Sequence, residues 1–366
     1  MNQIRIGFIG LGLIGGSIAR ALRKFHPDYQ LLAYSHRRST LEEAMAAGVI
    51  DLACSADDPA FGSCDYIFLC APVQTNISYL PFLKGVMKPG CVLTDVGSVK
   101  GEMHKAVEEA GLSEFFIGGH PMAGSEKTGF ANSTDYLLEN AYYVVTPTDE
   151  VDPARVEAYV QLVDSLGAIP LVLTWQEHDY VVAGVSHLPH IVASCLVNAL
   201  AQLDTQQERM KLVAAGGFKD ITRIASSSPV MWQQICLTNR AQISRVMGTY
   251  IRLLEQAKDL IDQEDSQGLY EMFQSSKNYR DSLSDTVSGP TPQQYVLYCD
   301  LYDEAGGIAT ITTLLAMNNI SIKNIGIIHN REYEEGVLRI EFYDVEAFQR
   351  SITILENRNY TVHVRQ

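Results

Sequence analysis

The chain predicts an α/β domain, then an all-α domain, then a small α+β module at the C-terminus. Three observations predict this order. Over the first ~170 residues, short runs that are apolar throughout alternate with helical patterns, as in a largely parallel sheet covered on both faces. After Trp175 no convincing strand follows until about Leu283, and long stretches keep helical spacing with few breakers. Past Ser288-Gly289-Pro290-Thr291-Pro292, a breaker-rich linker, the rhythm changes again. The boundaries so read are 1–174, 175–287, a linker over 288–294, and 295–366. A length of 366 residues suits two or three domains of roughly 100–200 residues each.

The apolar runs of the first domain are Ile4–Ile9, Leu31–Tyr34, Tyr66–Cys70, Cys91–Asp95, Phe115–Gly118, Tyr142–Thr146 and Pro170–Leu173. Between several of them lie helix-like segments: Ile14–Phe25, Leu41–Ala47 and Gly101–Ala110. The second domain reads as about five or six helices, with Ile191–Leu203 and Ala241–Ile261 the longest periodic stretches. Several are apolar on more than one face, which predicts burial in a larger assembly and a homodimer built through this region. In the tail, Tyr295–Leu301 reads as a strand, Gly307–Met317 as a helix, Ile320–His329 and Gly336–Tyr343 as strands, Val345–Asn357 as a helix and Tyr360–Val364 as a strand. That β-α-β-β-α-β order is the ferredoxin-like split unit.

Composition excludes several partner classes. The net charge of -15 repels phosphate backbones and anionic lipid, so neither nucleic acid nor a membrane surface is expected. The N-terminus runs directly into an apolar strand, with no signal segment and no apolar stretch approaching 18 residues, so a cytoplasmic location is expected. The seven cysteines form no C-x-x-C pair and most sit in apolar runs, which reads as buried small hydrophobes rather than metal or redox centres. An acidic protein of this kind binds an anionic ligand only through focused local donors.

Such donors exist. Gly10-Leu11-Gly12-Leu13-Ile14-Gly15 follows the first strand and opens the first helix, the context in which G-x-G-x-x-G marks a Rossmann dinucleotide site. Gly10 permits the tight turn, Gly12 lets the backbone approach a pyrophosphate, and Gly15 lets helix pack on strand. The helix N-terminus offers free N–H groups and partial positive charge. Ala71 and Pro72, after the third strand, belong to the same expected contact set. NAD enzymes usually carry Asp or Glu about 20 residues on, for the ribose hydroxyls. Here the stretch is Tyr34-Ser35-His36-Arg37-Arg38-Ser39-Thr40, without an acid. Ser35, Arg37 and Arg38 suit a 2′-phosphate and hence NADP; alternatively Arg37 and Arg38 are solvated loop charges, or Arg37 stacks on adenine with either cofactor.

Two loops at the carboxyl edge of the sheet carry candidate chemistry. Ser98 lies in Thr94-Asp95-Val96-Gly97-Ser98-Val99-Lys100 and His120 in Gly118-Gly119-His120-Pro121-Met122-Ala123-Gly124-Ser125-Glu126. A neutral imidazole at that edge can take a proton from a substrate hydroxyl while hydride leaves the same carbon, and a nearby serine could orient the ring. The bland alternative is a hydrogen-bonded turn histidine. In the helical region Ser186-His187-Leu188-Pro189-His190 spaces two histidines as metal ligands can be, but no Cys, Asp or Glu cluster accompanies them, so no metal is expected. Lys219 and Arg223 share a helical face in Gly216-Gly217-Phe218-Lys219-Asp220-Ile221-Thr222-Arg223. A guanidinium fork there suits a substrate carboxylate, or else forms a surface ion pair.

Taken in order, the glycine motif, Asp95–Lys100, Gly119–Gly124, Ser186–His190 and Gly217–Arg223 closely resemble the prephenate dehydrogenase family, across residues ~4–285. The tail resembles an ACT domain, with Asp303, Gly307 and Asn324 matching the loop and strand that usually hold a free amino acid. The resemblance implies oxidative decarboxylation of prephenate to 4-hydroxyphenylpyruvate with NAD or NADP, on the route to tyrosine, with tyrosine as effector through the tail. It implies that His120 polarises the substrate hydroxyl, that Ser98 holds His120 beside the nicotinamide, and that Arg223 pairs with a substrate carboxylate. His190 then lines the pocket, Glu126 guards its mouth, and Lys219, Asp220 and Trp232 support it or serve the partner subunit. The Ser35–Thr40 stretch resembles relatives that use NADP and oxidise arogenate, which makes arogenate dehydrogenase the alternative. A catalytically silent amino-acid sensor is the reading from a different class.

Overall fold

The computed structural model describes residues 3–124, 127–283, 295–300, 306–328 and 337–363. It divides into two compact units, residues 1–289 and 290–366. The expected linker over 288–294 lies outside the described residues.

In the first unit, β1 (Arg5–Ile9), α1 (Leu13–Phe25), β2 (Gln30–Tyr34), α2 (Arg38–Ala46), β3 (Leu52–Ala53), β4 (Tyr66–Leu69), α3 (Val73–Val86), β5 (Val92–Asp95) and α4 (Gly101–Ala110) alternate as the periodicity predicts. The sheet has the order β3-β2-β1-β4-β5, all parallel, which is the Rossmann arrangement. Its strands are apolar throughout because helices cover both faces: Ile6, Phe8, Leu31, Ala33 and Phe68 pack with α1 on one side, and Ile9, Ile67, Leu69 and Leu93 pack with Leu80, Leu83 and Met103 on the other. The two-residue strand β3 is too short to leave a periodic signature.

The remaining runs do not extend this sheet. β6 (Ile117–Pro121), β7 (Tyr142–Pro147), α5 (Pro153–Ser165) and β8 (Ile169–Val172) form a separate three-stranded sheet, in which β6 and β7 are antiparallel and β7 and β8 parallel. Among the described residues one isolated bridge, Leu93–Phe116, joins β5 to β6. An apolar run reads alike in a parallel or an antiparallel buried strand, so the sequence did not reveal this break.

Seven α-helices follow among the described residues: α6 (Trp175–Val182), α7 (Leu188–Leu203), α8 (Arg209–Val213), α9 (Gly216–Thr222), α10 (Pro229–Thr238), α11 (Arg240–Asp262) and α12 (Ser266–Ser282). A capping box starts α6, with Thr174 and Glu177 each satisfying the other's backbone N–H. A π-turn over Ala183–His187 joins α6 to α7. A widened turn there relieves the clash that the Pro189 ring would make with the preceding carbonyl. The fused run Trp175–Leu203 is 29 residues long and contains an 18-residue window of mean hydropathy 1.5, longer than the apolar stretches expected from the sequence. By length and composition alone it could cross a membrane, but it turns His178, Asp179 and His187 inward, all buried. Many apolar side chains of this region are open to solvent in the single chain, among them Leu203, Leu212, Val213, Leu237, Leu254 and Phe273. An apolar surface of this extent marks an association face.

The second unit comprises β9 (Tyr295–Asp300), α13 (Gly307–Met317), β10 (Ile322–Ile328), β11 (Val337–Phe342), α14 (Val345–Glu356) and β12 (Val362–His363). Its antiparallel sheet has the order β10-β11-β9-β12 over a core of Leu297, Ile311, Leu315, Leu338, Ile340, Phe342 and Leu355. Gly307 is buried at the start of α13, and Asn324 is exposed at a register shift in β10, where its Oδ1 accepts the Ile325 N–H. Asp303 lies outside the described residues.

Candidate active site

The turn after β1 is built for close approach. Gly10 has φ +93°, its N–H donates to the Tyr34 carbonyl at 2.9 Å, and a Cβ there would lie 2.8 Å from the Ala71 N. Gly15 is equally tight, 2.8 Å from the Gly10 oxygen. At Gly12 a Cβ would meet nothing within 4 Å, so the space before the helix is open. Gly12 caps α1 without any side-chain bond, and no acid sits in the first turn. The helix therefore keeps its orphan N–H groups and partial positive charge for an anion. These features fit a dinucleotide pyrophosphate, with Leu11, Leu13 and Ile14 carrying the turn into the helix. Ala71 donates its N–H to the buried Asn76, which also donates to the Leu69 carbonyl, fixing the loop that holds Pro72. At the end of β2, Ser35 is buried, while Arg37 and Arg38 are exposed. Arg37 stands at the N-cap of α2, and Arg38 bonds Glu42 one turn on at 3.1 Å.

Across the sheet edge, His120 ends a relay that the sequence did not announce. Its Nδ1 lies 2.8 Å from Nε2 of His178, whose Nδ1 lies 2.8 Å from Oδ1 of Asp179. Asp179 also accepts the N–H of Lys100 at 2.8 Å and of Gly101 at 2.9 Å, so it caps α4 from α6. Burial pushes the Asp179 carboxyl up, but the bonds from His178, Lys100 and Gly101 outweigh it and hold the group below its usual range. Burial, reinforced by His178, Lys100 and His187, holds His120 well below the usual imidazole value of 6.5. Burial also lowers His178. An anionic carboxylate only accepts, so the Nδ1 of His178 carries its proton. The Nε2 of His178 then accepts from the Nδ1–H of His120, and the Nε2 of His120 is left with a free lone pair. Ser98 makes no hydrogen bond to His120. His178 takes the Nδ1 position of the ring.

Ser98 instead lines a cavity of about 890 Å³ whose walls include Ala71, Pro72, Gly97, Trp175, Asp179 and Asn239. His120 and Arg223 do not line it; His120 reaches the wall residue Asp179 through His178. Asn239 is buried, donates to the Asp179 carbonyl at 2.7 Å and lies 3.2 Å from Nδ1 of His187. His187 meets Trp232 edge-on at 5.9 Å between centroids, and His190 stacks on the other side of the network against the same indole at 3.8 Å. Both rings thus pack against Trp232. Burial pushes His187 down to about 4. It also lowers His190, with help from the Arg223 charge and against a hydrogen bond to the Ile224 backbone. The Trp232 Nε1 is buried and has no acceptor among the described residues. Arg223 is exposed where α9 passes into a 3-10 turn, and Lys219 and Asp220 are exposed one turn earlier. Glu126 lies outside the described residues.

His120 is thus tied to α6 through His178 and Asp179, while the Arg223 charge acts on His190, which stacks on Trp232. The sequence reading missed His178, Asp179 and Asn239. His178 and Asp179 follow a capping box in an amphipathic segment, where an adjacent buried His-Asp pair was a legible polar break in an apolar face. Asn239, between two helices, carried no signal.

Residues 18–171 match the model of the prephenate dehydrogenase nucleotide-binding domain, and residues 174–275 that of the prephenate dehydrogenase dimerization domain. Prephenate dehydrogenase of Bacillus subtilis (strain 168) is 37% identical over 362 residues, 98% of each chain. The crystal structure of prephenate dehydrogenase from A. aeolicus in complex with hydroxyphenyl propionate and NAD+ is 32% identical, with a TM-score of 0.73, covering 78% of this chain and 99% of that one. Synechocystis arogenate dehydrogenase is 31% identical, with a TM-score of 0.69, over 76% of this chain and 99% of its own. With both domains matched in order and a relative spanning nearly the whole length, the chain belongs to the prephenate dehydrogenase family.

Proposed function

We propose that this chain catalyses the oxidative decarboxylation of prephenate to 4-hydroxyphenylpyruvate in tyrosine biosynthesis, as a soluble, cytoplasmic homodimer. The observation that carries the reading is the Asp179–His178–His120 relay, which leaves an unprotonated Nε2 at the edge of the sheet. There His120 accepts a hydrogen bond from the ring hydroxyl of the substrate and takes its proton as the carbon beneath is oxidised. General base groups of this kind contribute about 10²–10⁴-fold. The oxidised nicotinamide, when bound, supplies the hydride acceptor. Gly10, Leu11, Gly12, Leu13, Ile14 and Gly15 hold its pyrophosphate, and Ala71, Pro72 and Ser98 flank its inner end. Arg223 pairs with a substrate carboxylate, while His190 and Trp232 form the pocket wall and Lys219 its rim. Departure of carbon dioxide leaves an aromatic ring, so the step is strongly downhill and needs only proton and hydride acceptors.

Ser35 in place of an acid, with Arg37 at the helix start beside it, favours acceptance of NADP as well as NAD. The same feature gives the second reading, arogenate as substrate, its support. Measuring turnover with prephenate and with arogenate, each with NAD and with NADP, decides among these; absence of turnover in all four combinations sinks the enzyme and leaves the silent sensor. We further propose that the domain boundaries fall near 174 and 288–294 and that the 295–366 unit is an ACT-like module holding tyrosine near Asp303, Gly307 and Asn324. Its split β-α-β-β-α-β sheet supports that reading.

A further inference from the structure

The two sheets of the first unit carry the two halves of the chemistry. Ser98 follows the last strand of one and His120 ends the first strand of the other, and they share no ladder beyond the Leu93–Phe116 bridge. At the level of Asp95 and Gly119 the seam is closed by side chains instead. The Lys100 ammonium bonds the Asp95 carboxylate and donates to the Gly119 carbonyl at 2.8 Å. The same carboxylate accepts the Gly97 N–H at 2.9 Å and the Gly119 N–H at 3.3 Å. Gly97 immediately precedes Ser98, and Gly119 immediately precedes His120. The Lys100 and Asp95 side chains are both 0% exposed.

We propose that Lys100, through its sealed pair with Asp95, is the positioning residue that holds Ser98 and His120 in register across this seam. A buried ion pair is weak evidence of stability, since a well-packed apolar pair often serves as well or better. Its directed bonds do what apolar packing cannot, fixing two backbone segments to one carboxylate at hydrogen-bond precision. The approach is close enough to exclude a side chain: a Cβ on Gly119 would lie 2.7 Å from the Asp95 carbonyl oxygen, and one on Gly118 would lie 3.2 Å from Cδ of Lys100. Lys100 also acts on His120 through space, as a cation that disfavours the imidazolium. The other charged or titratable groups facing this cluster are His178 and Asp179 from α6, His187 from the π-turn, His104 from α4, Tyr143 from β7, Tyr159 from α5, Cys70 after β4 and Asp95 from β5.

The inference rests on His120 as the proton acceptor. If wild-type protein turns over no substrate, that reading fails; if only the variant departs from expectation, the positioning role fails. The test is the full-length double variant Asp95→Asn/Lys100→Met, which removes both charges of the pair together. It should fold with a Tm near wild type and bind NAD normally. Its kcat should fall at least about 10-fold, since misplacements on the order of 1 Å cost up to about 10²-fold. The acid limb of its kcat–pH profile should move to higher pH. Wild-type kcat with an unmoved limb overturns the proposal. So does a lower kcat with the limb unmoved, which marks general loosening, and so does failure to fold, which would make the pair a stability element.

Discussion

Asp179→Asn is the sharpest probe of the relay, because it preserves shape and inverts one donor. In the native site Asp179 accepts from the His178 Nδ1, the Lys100 N–H and the Gly101 N–H. An asparagine must place its amide nitrogen against one of these donors. If the nitrogen faces His178, that ring must accept at Nδ1 and carry its proton on Nε2. His120 then accepts at Nδ1 and presents an N–H, not a lone pair, to the substrate hydroxyl. In a hydrolase triad governed by the same carboxylate–imidazole logic, the wrong tautomer costs about 10⁴ in kcat. Here the substituted carboxylate is one histidine further from the reacting atom, so a loss of about 10²–10⁴ is expected, or roughly 3–5 kcal/mol at 1.36 kcal/mol per decade. If the nitrogen faces Gly101 instead, the helix cap is lost and about 1–3 kcal/mol of stability goes with it. Steady-state rates by reduced-cofactor absorbance, together with Tm, separate the two. A kcat within about 3-fold of wild type, at unchanged Tm, would refute the relay, because the tautomer of His120 would then be indifferent to Asp179.

Other consequences follow from the same network. His104, buried on α4 with its Nε2 3.0 Å from the Thr146 hydroxyl, and His187 are both held near 4 by burial, below the ordinary 6.5, so the unfolded chain binds more protons between those values. Stability should therefore fall as pH drops from about 6.5 to 4, by on the order of 3 kcal/mol per ring, and level off below; denaturant melts across that range that stay flat would contradict it. Arg223→Ala should raise KM for substrate by roughly 10–150-fold, as loss of a charged hydrogen bond of ~1.5–3 kcal/mol implies, while KM for cofactor stays put. Ser35→Asp should shift preference from NADP toward NAD by about tenfold or more, measured as a ratio of kcat/KM values, since a carboxylate there repels a 2′-phosphate and accepts from ribose hydroxyls. Ending the chain near residue 290 should keep turnover and abolish tyrosine inhibition; inhibition that persists would mean tyrosine competes at the active site.

Local patterns in the chain determined much of this protein. The G-x-G-x-x-G turn after β1, the alternation of apolar runs with helices as far as α4, the all-helical middle and the β-α-β-β-α-β tail each follow from periodicities and breakers within a few residues of one another. The signals at Ser98, His120 and Arg223 were local too, glycine-flanked or helix-spaced, and so could be picked out.

Only the tertiary structure decided how those signals meet. Whether β6 continues the parallel sheet or begins another depends on hydrogen bonds between distant segments, and an apolar run looks the same in both. The partner of His120 lies 58 residues away in the chain, on α6, where the adjacent Asp179 accepts from His178 and from the start of α4. Lys100 and Asp95 lie five residues apart in the chain, and nothing local shows that they pair inside the seam. A buried polar group takes its role from what it is packed against, and that packing is a property of the fold, not of any window of sequence.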